Sequence, residues 1–389
     1  MCHHTTVSRE ILIVGGGVIG LSLGWRLRQA GLRVSIVERS VCGRSAGWAS
    51  AGLIQAAPDV TATAPGLLPL TLASHRAWPE FARELEGASG VPLGYGSRGV
   101  LVVALDESDD AVLGMREARY RENGLPVERL SAAGAARKEW SLGPSVRGGL
   151  WLKDDAWVNA AALGVALTEA FRVAGGRTYE REVVIALERD GDRITGVRTR
   201  SRCICADTIV LAAGPWSARL AAPELSPAAL RPSRGQTLLL DARDARGAAL
   251  FQRAVSSPSI WAVPQNDGAL WVGGTREGGD LEGSLDSEPR AETTTRLLAA
   301  LERLAPAARG LTLRDARVGH PSRTDDHLPI LGPSTTMAGL VYATGHTKTG
   351  ILLAPETARI LALLLANGER DPRLEGCGPG RFTSSPARP

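Results

Sequence analysis

The stretch Gly15-Gly16-Gly17-Val18-Ile19-Gly20 constrains this chain more than any other feature. It follows directly on a β-branched apolar run, Glu10 to Val14, and opens a segment with Ile19, Leu23 and Leu27 at helical spacing. Gly31 closes that helix, and Arg33 to Val37 reads as a second strand ending on Glu38. The result is a complete βαβ unit in which each glycine has its own task. Gly15 permits the tight turn out of the strand, Gly17 lets backbone approach a pyrophosphate, and Gly20 lets the helix pack closely on the sheet. The helix start at Val18 and Ile19 offers free N–H groups and a positive dipole end. Glu38, with Arg39 beside it, is placed to accept hydrogen bonds from a ribose 2′-OH, and an acid there disfavours a 2′-phosphate. A dinucleotide therefore belongs here, and the motif alone leaves FAD and NAD both open.

Composition narrows the class. A chain of 389 residues, 44% hydrophobic and 22% charged, has room for two domains and the make-up of an ordinary soluble protein. Its formal charge of +4 comes from scattered basic residues, so neither nucleic acid nor a membrane surface is expected as a partner. Met1 to Arg9 lacks a signal peptide's apolar stretch, and no later window reads as a membrane span. The five cysteines (Cys2, Cys42, Cys203, Cys205, Cys377) show no CxxC pair. No metal site, no disulfide framework and a reduced, cytoplasmic setting are expected.

Three further segments bear on the cofactor. Cys42-Gly43-Arg44-Ser45 and Ala49-Ser50-Ala51-Gly52-Leu53-Ile54 are rich in small residues, which suits a loop running along a second phosphate and beneath a flat ring. Asp207 to Leu211 reads as a buried strand leading into Ala212-Ala213-Gly214-Pro215-Trp216-Ser217, preceded by a hairpin, Val183 to Leu187 and Arg193 to Thr199, around Asp190-Gly191. Near the C-terminus, Leu340 to Ala343 is a strand followed by Thr344-Gly345-His346-Thr347-Lys348-Thr349-Gly350 and a helix reaching Asn367-Gly368.

On these residues the chain resembles the glycine oxidase and D-amino-acid oxidase family of FAD enzymes, from the first strand to Arg381-Phe382. The most specific match is Gly345-His346-Thr347-Lys348-Thr349-Gly350-Ile351-Leu352-Leu353-Ala354-Pro355. Ala49 to Ile54, Gly235-Gln236, and Val263-Pro264 leading to Val272-Gly273-Gly274-Thr275 are also similar. The resemblance implies FAD as cofactor, with Val184 meeting the adenine side through its backbone while Val183 faces the core. It implies oxidation of a carbon–nitrogen bond in a small amine or amino-acid-like substrate, with O2 or another acceptor taking the electrons. The helix entered at Gly350 and Ile351, with Lys348 nearby, would stabilise a reduced flavin.

Individual residues keep alternative readings. His346 is either bonded to local backbone or moves a proton, and Lys348 either serves the flavin or caps solvent-facing backbone. Trp25, Trp78 and Trp140 read as core, Trp261 as a substrate-facing aromatic, and Trp48 as part of the flavin loop. One departure from the family pattern matters. Thr324, Asp326, Pro329 and Gly332 match an Arg-Pro-x-Thr-x-Asp-x-x-Pro-x-x-Gly pattern in register, but its carboxylate-binding Arg is Pro321 here. Either Arg276 or Arg323 replaces it, or the substrate has no free α-carboxylate. A flavin monooxygenase is disfavoured because Ala343-Thr344-Gly345-His346 stands where a Gly-Asp-Ala motif is usual. An FAD-dependent dehydrogenase of a hydroxy acid or natural-product intermediate using another electron acceptor remains an alternative.

The expected architecture is α/β: a discontinuous Rossmann-type FAD domain (8–58, 150–225 and 335–370) interleaved with an α+β substrate domain carrying an antiparallel sheet (59–149 and 226–334). A helix over Leu67 to Leu85 should bury Leu70, Ser74, Trp78, Phe81 and Leu85, and Ile260 to Pro264 and Ala269 to Gly273 should pair around Asp267-Gly268. Residues 371–389 are expected to form a loosely ordered tail, and self-association is left open.

Overall fold

The computed structural model describes residues 10–57, 66–221, 224–225, 229–243, 247–275, 277–278 and 286–382. Its first sheet has six strands in the spatial order 330–333, 340–344, 208–211, 10–14, 33–37, 177–179, parallel except for the first. Central parallel strands are covered on both faces and so read as unbroken apolar runs. Side-chain alternation assigns the two covers. Ile11 and Ile13 face the helices Val18–Gln29, Leu67–Ser89, Ala160–Val173 and Gly350–Asn367, whereas Leu12 and Val14 face a cluster with Ile194 and Val197 of a three-stranded sheet.

The helix Gly350–Asn367 corrects one expectation, because it is long and apolar enough to cross a membrane. Here it is the central helix of the core. Pro355 interrupts its backbone bonding, and Ser74 fills the breach: its hydroxyl donates to the Leu352 carbonyl at 2.6 Å and accepts from Glu356 N at 3.3 Å. Trp78 Nε1 donates to the same carbonyl at 3.0 Å. The expected apolar face of Leu67–Ser89 is buried as read.

The second sheet is built round the long strand Arg231–Asp241, which pairs with Thr312–Gly319 on one edge and Ala269–Gly273 on the other. Trp261–Pro264, Ala254–Ser256, Val100–Ala104, Gly148–Leu152 and Val127–Ser131 continue it outward. One face packs against the helix Ala291–Leu304. The opposite face, with Trp261, Trp271 and Val263, packs against Ala51 and Leu53 of the small-residue loop.

Several boundaries move. Gly148–Leu152 belongs to this second sheet, so the division expected at 149/150 falls inside one of its strands, and Ile330–Pro333 pairs into the first sheet although it lies before the division expected at 334/335. Residues 371–382 are folded, not loose: the Cys377 carbonyl accepts from Leu331 N at 2.8 Å, and Arg381 Nε donates to Asp326 at 2.6 Å. Trp140 is 51% exposed, whereas Trp25 and Trp78 are buried. Val184, and not Val183, packs against the core cluster. Cys205, exposed on an edge strand, is disulfide-bonded, against expectation. Cys42, Cys203 and Cys377 are free.

Candidate active site

The glycine turn is built by close approach. A Cβ on Gly20 would overlap the Gly15 carbonyl oxygen, and one on Gly15, which has φ 111°, would lie 2.5 Å from the Ala212 oxygen. On Gly17 it would stand 2.7 Å from Ser45 Oγ, so these two residues face each other across a narrow gap at the start of the helix Val18–Gln29. That helix has no side-chain cap and no acid in its first turn, which leaves its leading N–H groups to an external anion. Glu38 is buried at the end of the second strand. Its two carboxylate oxygens accept from Gly16 N at 2.7 Å and Ser40 N at 3.0 Å, which fixes the acid beside the turn. Arg39 lies with its guanidinium 3.4 Å from the Trp216 ring centroid, bringing Ala213 and Gly214 up to the same edge. Val184 opens the strand Val184–Asp190, reached from Glu38 through the Glu182 N–Glu38 O bond at 2.9 Å.

The second half of the site is made by two loops. Ala46–Ala49 forms a short 3-10 turn that leads through Ser50 and Ala51 to Gly52, where φ is 76° and a Cβ would overlap the Val158 carbonyl. Gly345 and Thr347 both adopt positive φ (77° and 49°). Ser322 ties their loop down, its hydroxyl accepting from Gly345 N at 3.1 Å and its carbonyl from Thr347 N at 2.8 Å. A Cβ on Gly350 would lie 3.7 Å from His346 and 4.0 Å from Val18. The uncapped N-termini of Val18–Gln29 and Gly350–Asn367 therefore converge.

His346 is buried, with Nε2 3.1 Å from Thr357 Oγ1, and burial pushes its pKa down to about 3. A buried neutral imidazole bonded to Thr357 of the helix that follows it fits the structural reading. Lys348 is exposed just before the N-cap Thr349.

A row of side chains crosses the sheet on the face turned to the loop. Arg317 stands opposite Thr237, Gly273 opposite Trp261, and Trp261 opposite Ser256. Continuing the register of Leu238 with Val272 sets Thr237 level with Gly273, which closes the row. Paired residues share a face, so all of these point to the same side. The Arg317 guanidinium is sandwiched between the indoles of Trp48 and Trp271, donates to Asp315 at 2.8 Å and to the Trp48 carbonyl at 3.2 Å, and is 12% exposed. Burial lowers its pKa from the usual value. The hydroxyls of Thr237 and Ser256 are buried without a hydrogen-bond partner among the described residues.

Two sequence candidates for a substrate cation fare differently. Arg323 is exposed: in the strand Ser322–Arg323, alternation turns Ser322 inward and Arg323 out, so it does not reach the row. Arg276 lies outside the described residues. Arg317, Thr237 and Ser256 were not legible as site residues, because only strand register places them beside Trp261.

A family model described as DAO, FAD dependent oxidoreductase, matches residues 10–364. The chain belongs to this family. The glycine oxidase of Geobacillus kaustophilus is 30% identical over 92% of this chain and 93% of its own length. A crystal structure of glycine oxidase from the same organism superposes with a TM-score of 0.87 at 28% identity, covering 95% of this chain and 98% of that one. Iminodiacetate oxidase from Chelativorans sp. BNC1 gives 0.83 at 26% identity, with 95% and 98% covered. The bifunctional protein ThiO/ThiG of Trichormus variabilis is 31% identical over 97% of this chain, which spans only 55% of that longer relative.

As a DAO-family oxidoreductase, the protein uses FAD. The residues suit that cofactor. Two uncapped helix starts, a gap between Gly17 and Ser45 that a side chain would fill, and a fixed carboxylate at Glu38 supply what a pyrophosphate and a ribose need. Gly52 and Leu53 on one side, with Gly345, Thr349, Gly350 and Ile351 on the other, are the small or backbone-presenting positions suited to a flat ring.

Proposed function

We propose that this enzyme oxidises the C–N bond of an amine or amino-acid-like substrate larger than glycine, or modified so that no free α-carboxylate must be held. FAD, which the glycine turn, Glu38 and the helix start at Gly350 would hold, would supply the hydride-accepting chemistry that turns the substrate's C–N bond into an imine for water to hydrolyse, with O2 or another acceptor taking the electrons. The protein's work is binding and orientation. Trp261 offers an aromatic surface to the apolar part of the substrate, and Trp48 and Trp271 keep water off that side of the loop. The start of the helix Gly350–Asn367 favours negative charge beside it.

The observation that carries the substrate reading is the state of the arginines. Among the described residues, Pro321 stands at the family's carboxylate-binding position, Arg323 points to solvent, and Arg317, though on the right face, already holds Asp315 and the Trp48 carbonyl; Arg276 lies outside them. A buried Arg–carboxylate contact contributes about 2–5 kcal/mol, enough to separate a good substrate from a poor one. The test is anaerobic bleaching of the flavin by a panel of glycine, sarcosine, D-alanine, larger amines and hydroxy acids. Bleaching fastest with a larger amine is expected. Bleaching by hydroxy acids alone would overturn the C–N assignment.

A further inference from the structure

A cavity of about 940 Å³ opens between the helix Leu67–Ser89, the residues before the strand Val100–Ala104, the strand Val127–Ser131 and the turn at Lys153-Asp154. It shares no lining residue with the glycine turn, the flavin loops or the Trp261 row. Four cations line it, Arg76, Arg98, Lys138 and Lys153, against two carboxylates, Glu128 and Asp154. Lys138 is held 3.5 Å from Glu128, over the ring of Trp151. Arg76, Arg98 and Lys153 have no hydrogen-bond or ion partner among the described residues. Nearby arginines behave otherwise: Arg83, Arg121, Arg129 and Arg147 are each paired with a carboxylate. Three uncompensated cations on one concave surface repel each other and focus a positive potential into the space between them.

The walls are preformed. Tyr95 stacks on buried Trp78 with ring centroids 6.2 Å apart and planes 6° from parallel. Behind them His75 Nε2 lies 3.2 Å from Asp155 Oδ1, while the other Asp155 oxygen accepts from Tyr120 OH at 2.6 Å. Ala56 N completes the set at 3.2 Å, so Asp155 is fully engaged and holds the floor rigid. Charge and shape together define the ligand. Two guanidinium forks and an ammonium match phosphoryl oxygens, which take several charge-assisted hydrogen bonds at once. The volume lies within the range of small-molecule pockets. The scattered charge elsewhere gives no track for a polymeric anion.

We propose that this cavity is a second binding site, separate from the flavin site, for a small phosphorylated molecule. The probe is inorganic pyrophosphate, titrated calorimetrically into the FAD-loaded, full-length enzyme so that the cofactor's own phosphate cradle is filled. One saturable site is expected, weakened about tenfold or more by Arg98→Glu and by the double substitution Arg76→Ala with Lys153→Ala. These side chains are exposed, so FAD content and the ligand-free unfolding midpoint should match wild type. Absence of saturable heat at about 10 mM pyrophosphate, far above the affinity such a cluster supports, would overturn the proposal. Equal affinity in wild type and both variants would overturn it too.

Discussion

The Arg317 guanidinium lies 3.5 Å from the ring centroid of Trp48, joining a strand of the substrate sheet to the turn that enters the flavin loop. With Trp271 4.4 Å from it as well, the arginine is a rivet between the two units. Each desolvated cation–π contact contributes about 0.5–2 kcal/mol. Arg317→Lys keeps the charge but loses the planar stack, and should destabilise the holoenzyme by about 1–3 kcal/mol in denaturant unfolding. It should also raise FAD loss on dialysis, because Trp48 would no longer be pinned. An unchanged midpoint and unchanged FAD content would show that the stack is incidental.

The glycine turn gives a sharper expectation. Gly17 faces Ser45 Oγ across 2.7 Å from its would-be Cβ, so Gly17→Val should abolish FAD retention. Glu38→Ala should weaken binding by about 1–3 kcal/mol, through loss of a charged hydrogen bond to ribose and of the brace on Gly16 N. Purified Gly17→Val with one FAD per chain would contradict this placement.

The sequence revealed some parts of this site and hid others for a physical reason. The βαβ unit and the Gly345–Pro355 segment are local: strand, turn and helix lie within about thirty residues, and each glycine leaves its mark at a fixed spacing. The row of Arg317, Thr237, Gly273, Trp261 and Ser256 is drawn from five strands, and only their register lines it up. Read alone, Arg314 to Val318 is an alternating polar strand in which Arg317 looks like a surface charge. Trp140 misled in the opposite sense, since a tryptophan at a helical or packing position suggests core but the chain has already left the helix Ala132–Lys138 there. The folded segment 371–382 was hidden because its order comes from long-range bonds to Asp326 and Leu331.

His346 makes a pH prediction. Its folded pKa is lowered from 6.5 to about 3 by burial, so the unfolded chain takes up a proton first as the solution is acidified. The associated stability is fully present above pH 6.5 and is lost as pH falls from there toward 3. Denaturant unfolding at pH 7.5 and pH 5 should show a steeper loss for wild type than for His346→Gln. The same substitution should leave the pH profile of flavin reduction near neutrality unshifted; a moved profile would restore a proton-transfer role.

Flavin electronics should depend more on the helix than on the lysine. Lys348 is exposed, where solvent screens its charge, whereas the start of Gly350–Asn367 is uncapped and meets the start of Val18–Gln29. Lys348→Met should lower the reduction potential slightly. Gly350→Asp, which has room for its Cβ and adds a negative charge at the helix start, should lower it further. Equal potentials in the two variants, measured by dye equilibration, would remove the helix from the argument.

The substrate panel tests the row as a whole. If no arginine is free to hold an α-carboxylate, kcat/KM for glycine should be low and Arg323→Ala should leave it unchanged, because that side chain faces solvent. Trp261→Ala should reduce kcat/KM for a larger amine by about tenfold or more while barely affecting glycine, since the lost contact is with an apolar group glycine lacks. Thr237→Val and Ser256→Ala probe the two buried hydroxyls, which have no partner among the described residues. Removing an unsatisfied hydroxyl should cost little stability or even raise it. A loss of about tenfold in kcat/KM for the same amine, at unchanged stability, would mean the hydroxyl finds its partner in the bound substrate. Efficient glycine turnover, insensitive to Trp261→Ala, would show that this face of the sheet is not where the substrate lies.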